Sequence, residues 1–280
     1  MGSGNWVVDN LNNAIETWSR MFGQIWDLIT TSPASFKGGA IWDIIVDIHG
    51  GLKAIAYALL VLFFVIGVVK TTTNFSELKR PEQALKLFLR FAIAKAVVTY
   101  GMDILLAVFR IIQGVISSIA GGSGGLVGGD FALPEEVTTK IFECGFFESI
   151  PLWIVSLIGS LLITVLSFVM LLTVYSRFFQ LYMYTAIAPI PLSTFAGEGT
   201  SAVGKQFLKS YAGVCLQGAI VVLACIIYSA FVTTPPENFD SSLSAVQVAW
   251  NYLGEIIFNM LVLVGAVKMS EKVVKEMIGF

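Results

Sequence analysis

The stretch LWIVSLIGSLLITVLSFVMLLT, Leu152–Thr173, decides what kind of protein this is. No ionisable side chain interrupts it, and an apolar helix of about 20 residues crosses the ~30 Å hydrocarbon core of a bilayer. A second run, Leu52–Val69, is nearly as apolar, with Lys53 at its edge. The whole chain agrees: 280 residues, 56% hydrophobic and only 13% charged, with a mean hydropathy of +0.81. Soluble domains carry about 25% charged residues, so a soluble globule is excluded.

Working outward from Leu152, a helix is predicted from Pro151 to Ala188, where Pro189-Ile-Pro191 ends it because proline lacks the N–H that continues a helix. Further spans are predicted near 91–120, 207–232 and 246–267, which with 52–69 makes five. Treating Phe178–Phe195 as a separate sixth crossing would put an acidic loop on the basic side, so one long third helix is the reading adopted. Between the second and third spans lies Gly121-Gly-Ser-Gly-Gly-Leu-Val-Gly-Gly129, whose glycines predict a loop. Residues 5–31 carry a different pattern. Val8, Leu11, Ile15, Trp18, Phe22, Ile25 and Ile29 recur at alternating intervals of three and four, the stripe of an amphipathic helix. This helix lacks the Lys/Arg-rich polar face of a lipid-binding helix, so its stripe is expected either to contact sister subunits or an external stalk or to lie on lipid. The expected fold is an all-α integral membrane protein. An N-terminal amphipathic extracellular helix precedes about five transmembrane helices, giving extracellular helices over 1–50 and a polytopic domain over 51–280.

Charge sets the expected orientation. With 70–90, 177–209 and 268–280 on one side, that side holds eleven basic and five acidic residues, against four and twelve on the other. Lys and Arg collect in cytoplasmic loops. The N-terminus is therefore expected outside, the C-terminus inside, loop 121–150 extracellular and loop 189–206 cytoplasmic. The net charge of −2 is the sum of two strongly opposed faces. The N-terminus lacks the basic and apolar regions of a signal peptide and the pattern of a myristoylation site, and the C-terminus is no prenylation box.

Few residues invite chemistry. Cys144, Cys215 and Cys225 form no metal spacing, and His49 stands alone before a glycine pair as an expected interfacial side chain. Gly199-Thr-Ser-Ala-Val-Gly-Lys205 imitates a phosphate-binding loop, but Gln206 stands where a Ser or Thr would hold magnesium. No catalytic constellation occurs, so no enzyme activity, cofactor or metal is expected. The polar candidates lie inside spans. Lys95, Thr99, Asp103 and Arg110 share one helical face, as do Asn251, Glu255 and Asn259 in the last span. A charge at mid-bilayer costs at least ~2.5–3.5 kcal/mol on insertion scales. These residues therefore either line a path or form ion pairs holding a bundle together, with Glu255 the natural partner of Lys95 or Arg110. A path of this kind in a self-contained ion or small-solute transporter is the alternative function.

Residues 177–217 are more specific. Arg177-Phe-Phe-Gln-Leu-Tyr-Met-Tyr-Thr-Ala-Ile-Ala-Pro189-Ile-Pro191 is followed by a short turn and then Gly204-Lys205-Gln-Phe207-Leu-Lys209-Ser-Tyr211-Ala-Gly-Val-Cys-Leu-Gln217. This pattern resembles the TrbL-type polytopic inner-membrane subunit of conjugative type IV secretion systems, in the form found in Gram-positive conjugative elements. The resemblance implies a structural and channel subunit in the cell membrane, assembled as a ring of copies, pentameric by family resemblance. It also implies contacts with secretion ATPases inside and a stalk or pilus component outside, with relaxase-bound DNA passing at or beside the ring. The orientation is checked by labelling introduced cysteines with an impermeant thiol reagent. Sites in 121–148 are expected to react from outside and sites in 197–205 not to; equal labelling of both would sink the five-span arrangement.

Overall fold

A computed structural model describes residues 5–71, 81–122, 133–143, 146–232 and 244–279. Most of the glycine-rich stretch, Lys79, Arg80, Cys144 and the Pro235-Pro236 break lie outside the described residues. Among those described, the chain is helical with no strand: α1 (Trp6–Thr30), α2 (Ala40–Thr71), α3 (Pro81–Thr99), α4 (Gly101–Gly122), α5 (Glu135–Phe142), α6 (Phe146–Ile187), α7 (Pro189–Ser193), α8 (Ser201–Val232) and α9 (Ala245–Ile278). Five segments are long and apolar enough to cross a bilayer: Phe36–Val69, Gly101–Gly122, Ile150–Ile187, Ser201–Ala230 and Ala245–Ile278. The second is shorter than the predicted 91–120 because the helix breaks at Tyr100. The third is one continuous helix that stops before Pro189, as its sequence requires.

The chain divides into two compact units. The first comprises Met1–Thr30, Ile116–Ser176 and Gly218–Ser270. Within it α6 buries Leu152, Ser156, Ile163, Ser167, Met170 and Val174, and exposes Ile154, Leu157, Leu161, Val165, Phe168 and Leu172. That exposed face is wholly apolar and suits lipid. The buried serines turn inward because each hydroxyl is satisfied by its own helix, Ser156 on the Trp153 carbonyl and Ser167 on that of Ile163. Gly159 lets α9 come close: a Cβ there would stand 2.8 Å from Leu253 Cδ2. Without a hydrophobic drive between helices in lipid, such close packing is what holds them together.

α1 belongs to this unit, and here an expectation is corrected. Val8, Leu11, Ile15, Trp18, Phe22, Ile25 and Ile29 are all buried within the chain itself. Trp18 and Phe22 pack on Tyr228 of α8, at 6.0 and 5.9 Å between ring centroids. The stripe is consumed by intramolecular packing and is not a free surface for a stalk or a sister subunit.

The second unit comprises Thr31–Val115, Arg177–Gln217 and Glu271–Phe280. α2 and α3 pair antiparallel, with Phe64 against Phe91 at 4.8 Å. α7 and the 3-10 turn Thr194–Ala196 pack against both helices. The segment 189–206, expected as an open cytoplasmic loop, is therefore largely helical, with Ala188, Leu192, Ser193 and Ala196 buried. The two prolines explain how. They end α6 and then occupy the first turn of α7, where the missing N–H costs nothing. Gly67 meets Gly197 backbone to backbone, its hypothetical Cβ only 3.4 Å from the Gly197 Cα.

If α1 is packed as described, Trp18→Ala should destabilise the solubilised protein by about 3–5 kcal/mol. Asn13→Ala, on the exposed side, should change little. Thermal midpoints in detergent decide, and equal midpoints would contradict the packing.

Candidate functional site

The residues that carry the family-like pattern converge on a buried polar node where the end of α6 meets the start of α8. Arg177 is buried, 6% exposed, without a carboxylate partner among the described residues. Its Nε donates to the Val214 carbonyl at 3.2 Å and an Nη2 hydrogen to that of Cys215 at 3.3 Å. Those carbonyls sit inside α8, and the second lone pair of each is free to accept from a guanidinium. The Arg177 side chain thus ties α6 to the backbone of α8. Tyr211, one turn earlier on α8, is buried against Thr185 and Cys215.

The other motif residues divide between interior and surface. Pro189, Gly204, Phe207 and Gln217 are buried, Pro191 is half-buried, and Lys205 and Lys209 stand exposed one turn apart. Phe207 packs on Tyr184 at 5.6 Å. Gly204 is needed because Phe195 lies over it: a Cβ would be 2.7 Å from the ring and 3.0 Å from the Pro191 carbonyl.

His49 joins this node, which sequence reasoning missed. Expected at an interface, it is 2% exposed, and its Nδ1–H donates to the Thr185 carbonyl at 2.7 Å. Its partner is 136 residues away, so no local pattern announces it. Gly101 packs beside its ring.

The first polar row runs through the junction of α3 and α4 at Tyr100. Helical hydrogen bonds continue from Tyr100 to the Ala96 carbonyl and from Ile104 to that of Tyr100, so the two helices keep one direction. The Thr99 carbonyl is taken by Lys53 Nζ at 3.0 Å, and the Thr99 hydroxyl meets Tyr57 OH at 3.0 Å and donates to the Lys95 carbonyl at 2.8 Å. Thr99 is therefore turned to α2, whereas Lys95, Asp103 and Arg110 are exposed. On α4 the exposed stripe reads Asp103, Ala107, Arg110, Gly114, Ser117; Leu105, Phe109, Ile112 and Ile116 are buried on its other side.

α9 has a comparable face. Gln247, Asn251, Gly254 and Glu255 are exposed and Asn259 half-exposed, whereas Val248, Leu253 and Met260 are buried. The described residues form three ion pairs: Arg90–Glu198, Lys272–Glu276 and Lys275–Glu271. None involves Lys95, Asp103, Arg110 or Glu255. Lys95, Asp103, Arg110 and Glu255 are each exposed on their own helix.

Gly204→Val should strain the motif node by about 1–3 kcal/mol, the usual cost of overpacking. Adding Phe195→Ala should recover part of the lost thermal midpoint, and no recovery would show that the ring is not the obstacle.

Comparison with known proteins bears on identity. No curated protein matches the chain. The family model described as TrbL/VirB6 plasmid conjugal transfer like protein matches residues 19–189, more than half of the chain. The matched region contains the second half of α1, all of α2, α3, α4, α5 and α6 with Arg177, and ends at Pro189; Gly204 to Gln217 lie beyond it. With five candidate spans and this match, the chain is a multi-pass membrane protein belonging to the TrbL/VirB6-like family of conjugal transfer proteins.

Proposed function

We propose that this protein is a non-enzymatic structural and channel subunit of a conjugative type IV secretion system. It assembles with copies of itself into a membrane ring through or beside which relaxase-bound single-stranded DNA is transferred. Its N-terminus lies outside the cell membrane and its C-terminus inside. The observation that carries the reading is the exposed stripe on α4. Gly101–Gly122 is a candidate span, yet Asp103 and Arg110 stand exposed on it without an ion pair among the described residues. Facing lipid near mid-bilayer, Arg110 would cost at least ~2.5–3.5 kcal/mol. A single copy leaves that cost standing, and an assembly removes it by turning α4 toward water or a neighbouring subunit. The intervening Ala107, Gly114 and Ser117 suit either, since small residues permit close approach.

The exposed Lys86, Lys205 and Lys209 belong on the cytoplasmic side, where they suit the acidic surface of an ATPase or the phosphates of incoming DNA. An external stalk or pilus component would engage the opposite side.

Arg110→Leu makes the α4 face compatible with lipid. It should leave membrane insertion intact, weaken the oligomer in lipid nanodiscs, and reduce conjugative transfer by about tenfold or more. Normal transfer and an unchanged oligomer with Arg110→Leu would sink the reading.

A further inference from the structure

α3 runs beside α2 with its outer face uncovered. Leu85, Phe88, Leu89 and Ile93 share one face by their helical spacing, and each is more than half exposed. On the other side Ala94 and Val98 are buried, and Phe91 meets Phe64. The five candidate spans do not include α3, which carries Glu82, Lys86, Arg90 and Lys95. Lys86 and Arg90 stand one turn apart beside the apolar face. A helix with an apolar face and basic flanks suits the boundary between acyl chains and headgroups.

Its register against α2 locates that boundary. The two helices are antiparallel, paired by Phe64 with Phe91 and by Tyr57 with Thr99. Val69 follows Phe64 by five residues and ends the candidate span Phe36–Val69. Lys86 precedes Phe91 by the same interval. Each lies about 7.5 Å beyond the ring contact along its helix, so Lys86 stands level with the end of the span. There α2 exposes Val65 and Val69, and the outer surface of the pair is apolar up to the level of the lysine. A lysine at such a level reaches for headgroups while its stem lies on hydrocarbon.

Charge selects the kind of lipid. Lys86 is exposed and forms no ion pair among the described residues, nor does Glu82 one turn before it. Arg90 is held loosely, Nη1 at 3.6 Å from Glu198 and Nη2 at 3.5 Å from Ser201 Oγ. A guanidinium has five N–H donors, so Arg90 keeps some for a further acceptor. Residues 79–90 hold four basic side chains, Lys79, Arg80, Lys86 and Arg90, against one acidic, Glu82. A cluster of this size on an amphipathic helix attracts anionic headgroups. Whatever meets Lys86 must also cover Leu85, Phe88 and Leu89. Nucleic acid or an acidic protein surface would set charge against those apolar side chains, whereas a phospholipid brings phosphate and acyl chains together. We infer that α3 binds an anionic phospholipid, its phosphate at Lys86 and Arg90 and its chains along Leu85, Phe88 and Leu89. Of the three lysines offered above to an ATPase or DNA, Lys86 is thereby given to lipid. The site does not depend on the ring.

The test uses the full chain in nanodiscs of equal parts phosphatidylglycerol and phosphatidylcholine with the same acyl chains. Native mass spectrometry counts the lipids that stay bound on release. The wild type is expected to retain phosphatidylglycerol in preference. Lys86→Gln should lower that preference about fivefold, the effect of one lysine near an anionic surface. Lys272→Gln, an exposed lysine of α9, should leave it unchanged. Equal retention of the two lipids by the wild type, or equal losses in the two variants, overturns the site. Phe88→Asn should reduce retention of both lipids, and unchanged retention overturns the acyl-chain contact. A single-stranded oligothymidylate whose binding Lys86→Gln weakens, with phosphatidylglycerol retention unaltered, would give the lysine to nucleic acid instead.

Discussion

A polar group placed in hydrocarbon must find its partner in the protein or in water that the protein admits. This requirement organises the described structure. Arg177 is buried with no carboxylate and is met by two carbonyls of α8. The Thr99 carbonyl at the break before α4 is met by Lys53. Ser156, Ser167, Ser193 and Thr194 return their hydroxyls to carbonyls three or four residues back. Wherever a polar side chain is buried in this way, it acts as a tie between helices or a cap within one. The charges on α4 and α9 stand exposed and form no ion pair among the described residues.

Close approach supplies the rest of the cohesion. Lipid does not drive helices together as water does, so contact depends on small residues at crossing points. Gly159 admits Leu253, Gly67 meets Gly197, and Gly204 accepts the ring of Phe195. The prolines at 189 and 191 act with these glycines. They end a long helix and begin a short one, folding the connection to α8 against α2 and α3. A segment that would otherwise be a loop becomes part of the packed interior.

Much of this was legible beforehand. The apolar runs announced the spans, and Pro189 announced the end of α6. The alternating intervals of three and four in residues 5–31 announced a helix with one buried side. What covers that side was not legible, because a period states only that a face is apolar. Tyr228 of the same chain covers Trp18 and Phe22, and a periodic pattern cannot distinguish it from another subunit. Lys95, Thr99, Asp103 and Arg110 share one face by spacing, yet Thr99 is engaged by Lys53 and Tyr57 of α2 while the others stand exposed. His49 illustrates the same limit: its hydrogen bond spans 136 residues.

The sequence by itself determined that this is a helical membrane protein with strongly polarised charge, because hydropathy, helical period and proline breaks are local properties. Tertiary structure alone decided which polar residues are satisfied and which are left outward. It also decided that the connection after α6 is packed, and that the apolar face of α1 is buried within the same chain. Those outcomes depend on contacts between residues far apart in the chain, and the free energy of a polar group in lipid is set by the partner it reaches.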